Sequence, residues 1–123
     1  LYKGVLAYQH RMLKSDFIET LGGRYWCEGH EMLKKGSIAR FNYPIQGSCA
    51  EGLKESLAIF MKERLPTWKF VAIVHDEIVI EVPDTEVQEA TICLETSMVQ
   101  GMQRLVKQVP IEVEIKQAKY WIK

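Results

Sequence analysis

The stretch Trp68-Lys69-Phe70-Val71-Ala72-Ile73-Val74-His75-Asp76-Glu77-Ile78-Val79-Ile80-Glu81-Val82-Pro83 decides the fold. Two runs rich in β-branched residues flank a polar break at His75, Asp76 and Glu77, and Pro83 closes the second run. Such runs suit a pleated, half-buried backbone, and a short polar break between them makes a β-hairpin. Working outward, residues 46–65 read as a helix. Cys49, Leu53, Leu57, Phe60 and Met61 fall on one face, and Lys54 and Lys62 on the other. Pro44 stands just before this helix and Pro66 stops it. After Pro83, Asp84 or Thr85 caps a further helix, and Thr85 with Gln88 has capping-box spacing. Its apolar stripe is Val87, Ala90, Leu94, Met98, Met102 and Leu105. Pro110 opens a last strand, in which Ile111, Val113 and Ile115 alternate with Glu112, Glu114 and Lys116.

Towards the N-terminus, Tyr2, Val5, Leu6, Met12, Leu13 and Phe17 recur at helical spacing, which predicts an amphipathic helix over 2–17. Phe17-Ile18-Glu19-Thr20-Leu21 and Arg24-Tyr25-Trp26 then meet across Gly22-Gly23 as a second hairpin. Residues 27–41 have no clean period and read as a polar connection. The order is helix, hairpin, helix, hairpin, helix, strand. Strand pairs separated by helices predict an α+β fold, an antiparallel sheet with helices packed on one face. No internal repeat or linker divides the chain, so 1–123 is expected to form a single domain.

Composition narrows the function. The chain has 123 residues, 47% of them hydrophobic, enough for a real core and too many for a disordered segment. Sixteen Lys+Arg balance 16 Asp+Glu, giving a formal net charge of zero. A protein that coats nucleic acid through bulk charge is thereby excluded; a nucleic-acid enzyme with a local basic groove is not. No apolar run approaches the roughly 20 residues that span a bilayer, so no membrane partner is expected. Cys27, Cys49 and Cys93 are odd in number, widely spaced and without a Cys-x-x-Cys pair. They suggest neither a disulfide framework nor a zinc site, and a cytoplasmic setting is expected. The chain begins with Leu1, which reads as a processed piece or a trimmed fragment.

The sharpest chemical feature is again His75-Asp76-Glu77. Adjacent carboxylates at a rigid strand end are hard oxygen ligands of the kind Mg²⁺ takes together with phosphate oxygens. The residues alone leave a second reading open, because acids in a hairpin turn are ordinary.

A series of segments resolves this. Val74-His75-Asp76-Glu77-Ile78-Val79-Ile80-Glu81-Val82-Pro83 closely resembles motif C of the family A DNA polymerases, the bacterial DNA polymerase I family. Upstream, Asn42-Tyr43-Pro44-Ile45-Gln46-Gly47-Ser48-Cys49-Ala50 resembles that family's Asn-x-Pro-x-Gln-Gly segment. Glu19-Thr20-Leu21-Gly22-Gly23-Arg24 is similar to its Glu-Thr-x-x-Gly-Arg hairpin, and Val109-Pro110-Ile111-Glu112-Val113-Glu114 with Trp121 to its closing strand. The segments agree in order and spacing over nearly the whole chain.

The resemblance implies the C-terminal part of a polymerase palm, a palm-type antiparallel sheet with helices on one face. It implies that Asp76 ligates catalytic Mg²⁺ and that Glu77 supports the metal site. Two metal ions about 4 Å apart would activate the primer 3′-hydroxyl and hold the leaving pyrophosphate. His75 resembles a residue touching the primer terminus; its other reading is a satisfied turn histidine. Gln46 and Asn42 match minor-groove contacts to primer and template, for which amides suit the groove's acceptors. Their other reading is helix capping. Arg24 matches the hairpin arginine near the substrate and template, although Tyr25 stands where a second arginine usually follows. The family's arginine four residues before the asparagine is replaced by Ile38; Arg40 is nearby, and its phosphate role is left open. Lys34, Lys35 and Lys54 read as solvated charges.

What the chain lacks matters as much. No Asp-Tyr-Ser segment supplies the second palm aspartate, and no fingers helix is present to grip the triphosphate. The chain alone is therefore expected to be inactive, with half of a two-metal Mg²⁺ site. Its expected partners are primer-template DNA, dNTP and the remaining polymerase region, fingers and motif A, in cis or in trans. Two other readings stand beside this one: a non-catalytic polymerase remnant that binds nucleic acid or protein, and an unrelated metal-dependent phosphohydrolase using His75 and Asp76.

Overall fold

The computed structural model describes residues 2–27, 29–30 and 37–121. Its elements are α1 (Lys3–Lys14), β1 (Phe17–Glu19), β2 (Tyr25–Cys27), α2 (Ala39–Glu63), β3 (Lys69–Val74), β4 (Glu77–Glu81), a 3₁₀ turn (Asp84–Glu86) and α3 (Val87–Gln103). The fold is α+β, with two small antiparallel sheets, β1–β2 and β3–β4. The chain divides into two compact units, Leu1–Glu51 and Gly52–Lys123, and each is described by itself. Among the described residues no helix is long and apolar enough to cross a membrane.

In the first unit, β1 and β2 pair as Phe17↔Cys27, Ile18↔Trp26 and Glu19↔Tyr25, and Ile18 is buried. The turn is closed by the Thr20 N–H to the Arg24 carbonyl at 2.8 Å and by the Arg24 N–H to Thr20 Oγ1 at 3.0 Å. This hairpin lies on α2. Ser48 Oγ accepts the Leu21 N–H at 2.9 Å, and Trp26 stacks on Tyr43 with ring centroids 5.8 Å apart. A methyl group on Gly47 would meet Thr20 Cγ2 at 2.6 Å, so a glycine allows the close approach. Helix α1 buries none of its residues. It is tied to α2 by the Tyr8 hydroxyl donating to the Phe41 carbonyl at 3.0 Å.

Helix α2 starts at Ala39, seven residues before the expected start at 46, and so takes Pro44 inside it. Proline removes one helical donor and crowds the carbonyl four residues back, which made Pro44 read as a boundary. The helix runs through this point with Pro44 buried; within the helix Ser48 Oγ donates back to the Pro44 carbonyl at 2.5 Å and also accepts from the hairpin's Leu21 N–H. Residues 28 and 31–36 of the connection expected over 27–41, including Lys34 and Lys35, lie outside the described residues.

In the second unit, β3 and β4 pair from Lys69↔Glu81 to Val74↔Glu77, with a bulge between Phe70 and Ala72. Phe60, Trp68, Ala90 and Leu94 form the core, and Ile78, Ile80 and Val82 pack on it from the hairpin. The helices thus cover one face of this sheet. Trp68 is buried, stacks on Phe60 and donates its Nε1–H to Glu86 Oε2 at 2.8 Å. Thr67 Oγ1 donates to the same oxygen at 2.6 Å. This explains why the expected capping box at Thr85 and Gln88 does not form. Glu86 is the N-cap of α3, no side chain caps it, and its carboxylate is engaged by Trp68 and Thr67.

The last expected strand is not in a ladder among the described residues. Its alternation survives: Ile111, Val113 and Ile115 are half-buried while Glu112, Glu114 and Lys116 are exposed. Ile115 packs against the core and Gln117 Nε2 donates to Thr91 Oγ1 at 3.0 Å. Alternation sets which side of an extended segment is buried; it does not supply a neighbouring strand to pair with.

Candidate active site

The break in the decisive stretch is a two-residue turn, His75-Asp76, because Val74 still pairs with Glu77. His75 has φ 56°, the only positive φ at a non-glycine among the described residues. Positive φ at the first and not the second central position follows the type II′ pattern, where glycine is the usual occupant. A histidine there stores strain of order 1 kcal/mol. His75, Asp76 and Glu77 are all exposed. Residues alternate across a strand, so Glu77 projects from the face opposite the core-packed Ile78 and Ile80. The hairpin therefore packs Ile78, Ile80 and Val82 against the core and presents the acids at its turn end to solvent.

Two adjacent, solvated carboxylates are the right donor chemistry for a hard divalent cation. They do not make a complete site. Among the described residues no three His, Cys, Asp or Glu side chains converge on a point where a metal could sit. Asp76 and Glu77 fit such an ion as part of a ligand set.

The other site residues lie in the first unit. Asn42 and Gln46 are one helical turn apart on α2, both exposed, and neither side chain bonds to another described residue. With about 3.6 residues per turn, they share a face with Ile38, Ile45 and Cys49, all exposed. The opposite face, Pro44, Gly47, Ser48 and Glu51, is the one on which the β1–β2 hairpin lies. Neither amide caps the helix. Arg24, in that hairpin, is on the far side of α2 from them. Its Nε is 3.5 Å from Glu51 Oε1, and half of its side chain is exposed.

Arg40 has an internal role. It is 1% exposed, its Nε donates to the Met12 carbonyl at 3.1 Å, and its Nη2 donates to the Ser15 carbonyl. It closes the C-terminal end of α1, where carbonyls lack helical partners. A guanidinium buried in this way is not presented to a phosphate. Ile38, at the position of the resembled family's arginine, is 71% exposed and offers no charge.

Nothing in the sequence pattern singles out Glu51. Its Oε2 accepts the Gly22 N–H at 3.1 Å while Oε1 faces Arg24. The pair Gly22-Gly23 carried the only local signal. Gly23 needs its φ of 90°, and a methyl on Gly22 would lie 2.4 Å from Glu51 Oε2, so a side chain there would have to displace that carboxylate.

Comparison with known proteins gives one consistent result. The model of the family "DNA polymerase family A" matches residues 2–123. A DNA polymerase I of Aquifex aeolicus is 35% identical over 78% of this chain and 18% of its own length. A DNA polymerase theta of Caenorhabditis elegans is 26% identical over 98% of this chain and 8% of its own length. A thermostable DNA polymerase I of Thermus thermophilus is 28% identical over 89% of this chain and 14% of its own. The chain thus spans less than a fifth of the length of these relatives.

Proposed function

Since this chain belongs to DNA polymerase family A, we propose that it supplies one part of a template-directed nucleotidyl-transfer site, the C-terminal part of the palm. Asp76 and Glu77 are the carboxylates it contributes to a Mg²⁺ site whose remaining ligands lie in the motif A region. Bound there, the metal ions supply a lowered pKa for the attacking hydroxyl and neutralisation of the leaving phosphate oxygens. The chain's own residues position. The hairpin fixes Glu77 at the start of β4 and Asp76 in the tight turn before it, and the strained turn aims His75 outward beside them towards the primer end. Asn42 and Gln46 present amides to minor-groove acceptors, which recur in every base pair and so allow grip without sequence preference. Arg24 contributes a phosphate contact. Arg40 is left out of this set because its guanidinium is buried on α1.

The observation that supports this reading most is the turn itself: two exposed acids, tied to no core function, stand at the tip of an otherwise apolar hairpin in a chain of this family. The isolated chain is inactive in this account, because it holds only part of the ligand set. Its binding role is testable by itself. A fluorescein-labelled primer-template duplex titrated with the chain is expected to bind, and Asn42→Ala with Gln46→Ala to weaken it about tenfold. Binding that ignores both amides would contradict the groove assignment. A non-catalytic module would show the same binding and no dependence of any polymerase activity on Asp76.

A further inference from the structure

Glu51 stands against Arg24, and the proposed function gives Glu51 no part. The Glu51 side chain is 14% exposed against 51% for Arg24. One Glu51 oxygen is fixed by the Gly22 N–H, and the other faces Arg24 Nε. No described group bonds Arg24 Nη1 or Nη2. The guanidinium is thus approached on its inner edge, while its terminal fork is unengaged and half of the side chain is open to solvent. A planar fork with an acid paired to its inner edge is suited to a bidentate grip on a phosphate. A solvated arginine with no such hold would lose side-chain entropy on binding.

We propose that Glu51 is a positioning residue, which orients Arg24 as a phosphate contact on the side of α2 opposite Asn42 and Gln46. It rests on the reading of this chain as a nucleic-acid-binding part of a polymerase. Because the thickness of a helix, about 10 Å, separates the two faces, Arg24 engages a different stretch of backbone from the groove that the amides read. Glu51 acts through Arg24 and touches no nucleic acid.

The sign of one substitution separates this from simple electrostatics. Removing an acid from a nucleic-acid-binding surface ordinarily tightens binding. Here Glu51→Gln, which keeps an acceptor for the Gly22 N–H, is expected to weaken binding of the labelled duplex about threefold. Arg24→Ala is expected to weaken it about tenfold and to lower the slope of log affinity against log salt by about one. In the Arg24→Ala background, Glu51→Gln is expected to change nothing further, since its effect runs through Arg24. Tighter binding by Glu51→Gln, or a loss that persists without Arg24, overturns the proposal. Wild-type affinity in both Arg24 and Glu51 variants, with loss in Asn42→Ala and Gln46→Ala, overturns it while leaving the polymerase reading intact. Absence of duplex binding by the unaltered chain overturns both.

Discussion

A methyl group on Gly101 would sit 2.3 Å from the backbone nitrogen of Ser56. The two residues mark a close backbone approach of α2 and α3 within the second unit. Ser56 is fully buried, its hydroxyl 2.8 Å from the Gly52 carbonyl and 3.1 Å from the Met98 carbonyl. This contact sets the spacing of the helices that cover the β3–β4 sheet. Gly101→Ala must push backbone from backbone, and it is expected to destabilise by about 2–3 kcal/mol. Gly52→Ala meets only the Met102 thioether at close range, a flexible side chain that can turn away, so its loss is smaller. Urea unfolding of the two variants checks the order.

His75 carries the one strained backbone of the site. His75→Gly is expected to keep or slightly raise stability, by up to about 0.5 kcal/mol, because relief of the positive φ is partly offset by the freer unfolded chain. His75→Val is expected to cost about 1–2 kcal/mol, since a β-branched residue resists that φ. Midpoints of chemical unfolding decide it. Stability unchanged by valine would contradict the strain.

Arg40 is expected to matter for folding and not for nucleic acid. Arg40→Ala leaves the Met12 and Ser15 carbonyls without their donor and is expected to cost about 2–3 kcal/mol. Under conditions where the variant is folded, its affinity for a primer-template duplex is expected to match the unaltered chain within about twofold. A large loss of affinity at full stability would return Arg40 to the nucleic-acid face.

The thiols differ in predictable ways. Burial pushes the Cys93 thiol up, a Ser97 hydrogen bond pulls it down, and Glu63 and Glu89 raise it further. Burial likewise raises the Tyr8 hydroxyl, against a lowering by Arg11. Cys27 and Cys49 are exposed. A thiol reagent at neutral pH is therefore expected to label Cys27 and Cys49 first and Cys93 last. A group whose folded pKa is raised holds its proton more tightly when folded. Its contribution to stability is fully present below the ordinary thiol value of 9.0 and is lost as pH rises through the folded value. Cys93→Ser, with a hydroxyl that does not titrate there, is expected to flatten part of the alkaline decline.

Much of this architecture is legible in the residues. The apolar runs of 68–83 specify a hairpin because their periodicity and the polar break agree, and the β1–β2 hairpin is written in Gly22-Gly23. The family resemblance rests on contiguous motifs, which need no tertiary knowledge. Most of the failures share a physical cause: they depend on contacts that the local pattern does not encode. Pro44 signals a helix end locally, yet Ser48 and the packed hairpin carry α2 through it. Thr85 and Gln88 have capping spacing, yet Trp68 and Thr67 engage Glu86. Ile111 to Ile115 alternate like a strand without a ladder to join. Arg40 reads as a surface cation until Met12 and Ser15 are seen to accept from it. Glu51 is one acid among many until Gly22 and Arg24 are found against it.

The measurement closest to the central claim is template-primed dNTP incorporation with Mg²⁺. The chain is mixed with a polymerase fragment that carries the fingers and the other palm aspartate and is inactive alone. The expected result is extension only when both pieces are present, reduced at least about 100-fold by Asp76→Ala and less by Glu77→Gln, with the folded stability of both variants unchanged. Extension by the 123-residue chain alone, or extension by the mixture that is indifferent to Asp76→Ala, would contradict the account.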